Sequence, residues 1–142
     1  MYRSTGKRFG RYTVGARAYD VLSLERPVYR SGRVRGIAAL GLKAGDRVLD
    51  MGCGTGLSFP LLSAAVGEPG QVVGVDASPQ MVERADARVR RGGLSNVSLL
   101  VADAAESARW GGALPDQLDA ALFAYSLSIV DRWEDVWGEV LA

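Results

Sequence analysis

The residues in this chain with chemistry to offer are a run of glycines and three carboxylates. Val48-Leu49-Asp50-Met51-Gly52-Cys53-Gly54-Thr55-Gly56 reads as a strand, a tight turn and a helix start. Glycines in such a turn permit positive φ and let backbone N–H groups come close to a ligand. The spacing is GxGxG. The nicotinamide fingerprint GxGxxG fails in both registers, because Leu57 and Phe59 stand where its third glycine would fall. No GK[ST] follows, which excludes a Walker A loop. Asp50 stands two residues before Gly52, where a carboxylate suits an ammonium better than a pyrophosphate. Asp76 ends a second apolar run, 20 residues after Gly56, and can accept hydrogen bonds from a ribose diol. It can alternatively cap the next helix, although Ser78 already suits that role. Asp103 follows a third run and can accept from an adenine amino group; a plain surface acid is its alternative reading.

Composition narrows the chemistry further. The 142 residues contain no histidine and one cysteine. Ser-His-Asp and Cys-His catalysis, HExxH zinc sites and CxxC ligand pairs are therefore excluded, and no metal site is expected. Cys53 lies in the turn at a helix N-terminus, where a thiol pKa can fall, but it reads mainly as a small packing residue. A reducing, cytoplasmic compartment is the simplest fit. Hydrophobic residues make up 48% and charged residues 23%, enough for a packed core, and no apolar run is long enough to span a membrane. Charge is uneven. Residues 1–35 carry nine basic groups against two acids, on an otherwise acidic chain. Such an arm reads first as a solvated surface; it also fits peripheral contact with anionic membrane, while nucleic acid is disfavoured for want of a matching signature.

Elements must position these groups. The spacing predicts helix over much of 12–40, with Pro27 at a start and Val34, Ile37, Ala38 and Leu40 as its apolar positions. Strands are expected at 47–50, 71–75, 97–101 and 118–123. Helices are expected at 57–66 and 81–91, the second with Ser78-Pro79 at its start and Gly92-Gly93 at its end, and an amphipathic helix at 132–142. Strands alternating with helices imply βαβ units, hence an α/β, Rossmann-like open parallel sheet with a ligand crevice at the strand C-termini.

Together the motifs resemble those of class I S-adenosylmethionine (SAM) dependent methyltransferases: VLDMGCGTGLS the first, VVGVDASPQM the second, SLLVADAAE the third, and LDAALFAYSLSIV the strand that follows. The resemblance implies SAM as cofactor. Asp50 and the backbone of Gly52, Cys53, Gly54 and Gly56 would hold its methionine part, and Asp76 its ribose. Ala77 and Met81 would pack on the adenine, although Met81 reads equally as a core methionine. Asp103 and the Ala104 N–H would read the adenine edge, and Ala124 and Tyr125 would border the methyl group. Tyr19-Asp20 and the Tyr-Ser-Leu-Ser of 125–128 look most like the branch acting on quinone precursors or phospholipid amines. Methyl transfer from a sulfonium asks little acid–base power; Tyr19, Asp20, Tyr125 and Asp131 are the candidate bases.

The expected organisation is a basic helical cap over 1–45 and a SAM-binding domain over 46–142. The family's sheet runs 3-2-1-4-5-7-6, and only four strands are legible here, so the chain reads as truncated at its C-terminus and prone to self-association through an exposed strand edge. The leading function is a SAM-dependent methyltransferase acting on a small-molecule or lipid acceptor. The alternative is a non-catalytic SAM- or nucleotide-binding fragment of a truncated or split enzyme.

Overall fold

The computed structural model describes residues 27–104, 110, 112 and 114–123. The elements run α1 (Pro27–Ala39), β1 (Arg47–Met51), α2 (Phe59–Val66), β2 (Gln71–Asp76), α3 (Pro79–Gly92), β3 (Val97–Val101) and β4 (Ala120–Leu122). The four strands form one sheet in the order β3-β2-β1-β4, every pairing parallel. The Rossmann-like reading therefore holds. The first strand lies inside the sheet, and the chain crosses over it to add β4 on its other side.

Side chains alternate across the sheet, as the two-residue strand period requires. Val48 and Val72 point to one face, where they meet Ile37 of α1, Phe59, Leu62 and Val66 of α2, and Ala85 of α3. Leu49, Met51, Val73 and Val75 point to the other face and pack with Ala104, Leu100, Trp110, Leu114 and Leu118. Both faces of β1 and β2 are covered, which is why VLDM and VVGV read as continuous apolar runs rather than alternating ones.

Local signals set the element ends. Ser78 is extended and its hydroxyl accepts the Met81 N–H, so it caps α3 as expected, and Gly93 closes that helix in the left-handed conformation. Asn96 latches the far end of α2: its side-chain amide donates to the carbonyls of Ser63 and Gly67, and its Oδ1 accepts the Ser63 hydroxyl at 2.6 Å.

Three expectations shift. The helix after the glycine turn starts at Phe59 rather than 57, because residues 54–58 continue the turn. The fourth strand is Ala120–Leu122 rather than 118–123; Asp119 breaks it by turning its carboxylate onto the Arg47 N–H at 2.8 Å. In α1 the inward stripe is Arg33, Gly36, Ile37 and Leu40, at i, i+3, i+4 and i+7, and Val34 and Ala38 are exposed. The helical expectations for 12–26 and 132–142 lie outside the described residues. Among those described, no helix is long and apolar enough to cross a membrane.

Candidate functional site

The site forms where β1 and β2 end. Gly52, Gly54 and Gly56 all have positive φ, at 67°, 55° and 77°. Amides of Gly52 and Cys53 both donate to the Val75 carbonyl, which turns the chain sharply over the end of β2. Gly54 N–H donates to Asp76 Oδ2 at 2.8 Å, and Ser78 N–H to Asp76 Oδ1 at 2.9 Å. Asp76 is thus a clasp between the glycine turn and the start of α3. Each oxygen keeps a second lone pair for another donor.

The glycines have different reasons to be glycine. A Cβ on Gly56 would lie 2.5 Å from the Phe59 ring, and one on Gly74 would also run into that ring. Phe59 is fully buried between them. At Gly54 a Cβ would meet nothing within 4 Å among the described residues. Its turn faces open space, as a ligand cradle must, and only the positive φ calls for glycine there.

Asp50 is the anomaly of the site. Its side chain is 1% exposed, and neither carboxylate oxygen has a hydrogen-bond partner among the described residues. It is paired in register with Gly74 and leaves β1 on the face that carries Val48 and α1. Burial pushes its pKa up to about 7; the Arg33 guanidinium pulls in the opposite direction, and Asp76 adds to the rise. A buried carboxylate without donors is costly to keep ionised unless a cation or several N–H groups arrive.

The remaining predicted positions divide as follows. Cys53 is buried in the α-helical face of the core, and burial pushes its thiol well above the ordinary range, with Asp50 and Asp76 adding to the effect. That corrects the expectation of a lowered thiol pKa and bears out the packing role. Ala77 is exposed just past β2, and Met81 is buried at the first turn of α3. Asp103 is exposed past β3, its carbonyl accepting the Trp110 indole N–H at 3.1 Å. Ala104 is buried, its methyl part of the second core face. Tyr19, Asp20, Ala124, Tyr125 and Asp131 lie outside the described residues. Among those described, no group of three His, Cys, Asp or Glu side chains could hold a metal ion.

One contact and one placement go beyond the sequence reading. Arg88 of α3 donates from Nε to the Thr55 carbonyl at 2.9 Å and so holds the outer side of the turn. Arg33 lies on the inward stripe of α1, although it reads in the sequence as one more charge of a basic arm. The signal for Arg33 was its spacing of four from Ile37; Arg88 left none, because the Thr55 carbonyl it meets lies 33 residues away.

The sequence profile described as "Methyltransferase domain" matches residues 48–142. A protein-L-isoaspartate O-methyltransferase of Fervidobacterium nodosum is 37% identical over 67 residues, which are 47% of this chain and 34% of that protein. An aklanonic acid methyltransferase of a Streptomyces species is 45% identical over 60 residues, 42% of this chain and 27% of that protein. The chain thus spans about a third or less of the length of these relatives. Among solved structures, a SAM-dependent methyltransferase from Aquifex aeolicus superposes with a TM-score of 0.53 at 34% identity, over 61% of this chain and 46% of that one.

Proposed function

The chain belongs to the class I SAM-dependent methyltransferase family, and from that premise we propose that it binds SAM at the ends of β1, β2 and β3 and transfers its methyl group to a small-molecule or lipid acceptor. The observation that carries the reading is Asp50: fully buried, without a donor among the described residues, and next to a glycine turn that no described residue fills at Gly54. A cofactor bearing an α-ammonium supplies the donors this carboxylate lacks.

In this reading Asp50 takes the ammonium of the methionine part, with backbone groups of Gly52, Cys53, Gly54 and Gly56 around it. Asp76 accepts from the ribose hydroxyls with the lone pairs left after it has clasped Gly54 and Ser78. Ala77 and Met81 flank the adenine, and Asp103 and the Ala104 N–H meet its edge. Residues 46–142 form the cofactor-binding domain and 1–45 the cap over it. When bound, SAM supplies a methyl group already activated by the sulfonium. The protein's own task is then to hold that group in line with the acceptor and to exclude water. Ala124 and Tyr125 border the methyl group, and Tyr19, Asp20, Tyr125 and Asp131 are the side chains offered as base.

The acceptor class rests on less. The likeness of Tyr19-Asp20 and 125–128 to the quinone and phospholipid-amine branch supports a small molecule or lipid. So does the relative named for aklanonic acid, whereas the relative named for protein L-isoaspartate points elsewhere. Calorimetry with SAM and S-adenosylhomocysteine, followed by transfer of a labelled methyl group to a panel of acceptors, tests both levels. Binding followed by transfer to a quinol precursor or phospholipid amine is expected. Binding of neither ligand overturns the reading. Binding without transfer to any acceptor makes the chain a non-catalytic SAM-binding unit, and transfer only to protein or RNA corrects the acceptor.

A further inference from the structure

Two neighbouring helices on one side of the sheet share a surface chemistry. α1 and α2 touch each other, with Ile37 of the first and Leu62 and Val66 of the second in a single buried cluster. Neither helix contains an acidic residue. Their outer sides carry Arg30, Val34, Arg35 and Ala38 from α1 and Leu61 and Ala64 from α2, all exposed. Arg30, Val34 and Ala38 stand four residues apart and so on one side of their helix. Three large hydrophobic side chains are exposed among the described residues, and two of them, Val34 and Leu61, are on these helices. Arg30 and Arg35 have no ion pair among the described residues. α3 packs on the same side of the sheet and differs: Glu83 and Asp86 stand among its arginines, and Asp86 takes Arg90 at 2.7 Å. Only on α1 and α2 does positive charge without acids lie among exposed apolar side chains.

That combination fits the headgroup layer of an anionic bilayer. The negative surface potential attracts arginine, and exposed apolar side chains gain by entering the boundary between headgroups and acyl chains. Arginine stems cover apolar surface while their guanidinium groups reach phosphate. A polynucleotide would use the arginines but leave Val34 and Leu61 in water. Phe59, the aromatic among the described side chains of these helices, is buried, so no ring is offered to a base. We propose that the outer sides of α1 and α2 form a docking surface for an anionic phospholipid bilayer. Residues 1–35 carry nine basic groups against two acids, so the segment leading into α1 has the same sign of charge. Leu61 stands in the first turn of α2, the helix that the glycine turn leads into. Docking would therefore hold that turn near the lipid while using no residue assigned to the cofactor, whether or not the methyl acceptor is itself a lipid.

Flotation of the full chain with vesicles of phosphatidylcholine, alone or mixed with phosphatidylserine, tests the surface. Binding to the mixed vesicles at low salt is expected, with loss at high salt and little binding to phosphatidylcholine alone. Arg30→Glu together with Arg35→Glu should weaken binding to the mixed vesicles by roughly tenfold or more. Arg90→Glu together with Arg91→Glu makes the same change of net charge on α3 and should weaken it much less. Val34→Ser together with Leu61→Ser keeps every charge and should still weaken binding severalfold; both side chains are exposed, so the core is untouched in that variant. Equal losses from the two charge-reversed pairs would show that net charge alone matters, and would overturn the docking surface. So would indifference to the serine pair, equal binding to neutral and anionic vesicles, or no binding to anionic ones. Single-stranded RNA is run in parallel by mobility shift, and RNA binding without vesicle binding overturns the membrane as partner. SAM titration of the same variants should be unchanged, which keeps failure of the surface distinct from failure of the cofactor site.

Discussion

Gly54 gives its amide proton to Asp76 across 2.8 Å, fastening the turn after β1 to the last residue of β2. The bond joins residues 22 apart in sequence, and it makes one carboxylate responsible for the shape of the cradle while leaving a lone pair on each oxygen for a further donor. Asp76→Ala should therefore lower SAM affinity by ~1–3 kcal/mol, as expected for charge-assisted hydrogen bonds. It should also lower the melting temperature of the ligand-free chain, because the Gly54 and Ser78 amides lose their acceptor. Calorimetry and thermal melting of the same variant check both halves; an unchanged affinity would show that the ribose lies elsewhere.

Asp50 should leave a mark on the pH dependence of stability. Its folded-state pKa is raised from 3.8 to about 7. Between these values the unfolded chain gives up a proton that the folded chain keeps. Stability should fall as pH rises from about 4 to about 7 and level off above that. Denaturant titrations of Asp50→Asn should show this slope flattened.

The same group should make SAM binding pH-dependent in the opposite sense. An ammonium is bound by the ionised carboxylate, so affinity should rise between pH 6 and 8 and level off once Asp50 is ionised without help. Calorimetry in buffers of different ionisation enthalpy should register a proton released on binding near pH 6. A flat affinity profile would remove Asp50 from the ammonium site.

Gly74→Ala should destabilise the chain by ~1–3 kcal/mol, because the new methyl meets the Phe59 ring in a packed core. Gly54→Val should behave differently. A Cβ there meets nothing within 4 Å among the described residues, so the loss is the strain of a β-branched residue at φ 55° together with blockage of the cradle. Melting curves should show the larger drop for Gly74→Ala, and SAM titration the larger loss for Gly54→Val.

Removing the Arg88 side chain should loosen the turn from outside. Arg88→Ala deletes the donor to the Thr55 carbonyl, a change of about 1 kcal/mol if water takes its place. A small loss of SAM affinity with a nearly unchanged melting temperature is expected, read by calorimetry and melting together.

The strands and the glycine turn were legible because their signals are local. VVGV is apolar throughout since both faces of β2 are covered, and Ser78-Pro79 states its cap within two residues. The placement of Asp50, Asp76 and Asp103 at the ends of strands was legible for the same reason, each standing at the end of an apolar run. What sequence could not convey depends on partners distant along the chain. The fourth strand is shorter than its apolar run because the Asp119 carboxylate, rather than a backbone carbonyl, takes the N–H of Arg47, 72 residues earlier. Val34 and Ala38 are apolar yet exposed, because the helix turns Ile37 into the core and leaves those two positions on its outer side. Cys53 shows the limit of a local rule: a thiol at a helix start can be acidic, but here burial and two nearby carboxylates act together against ionisation.

Phe59 is wedged between Gly56 of the turn and Gly74 of β2, and it also belongs to the hydrophobic core. The curvature of the cradle and the packing of the interior are thus set by one ring. Substitutions deep in the α2 face, far from any ligand atom, should appear in titrations as weakened binding, and a bound ligand should in turn raise the melting temperature of a poorly packed variant. Affinity for the cofactor becomes a gauge of how well the interior is filled.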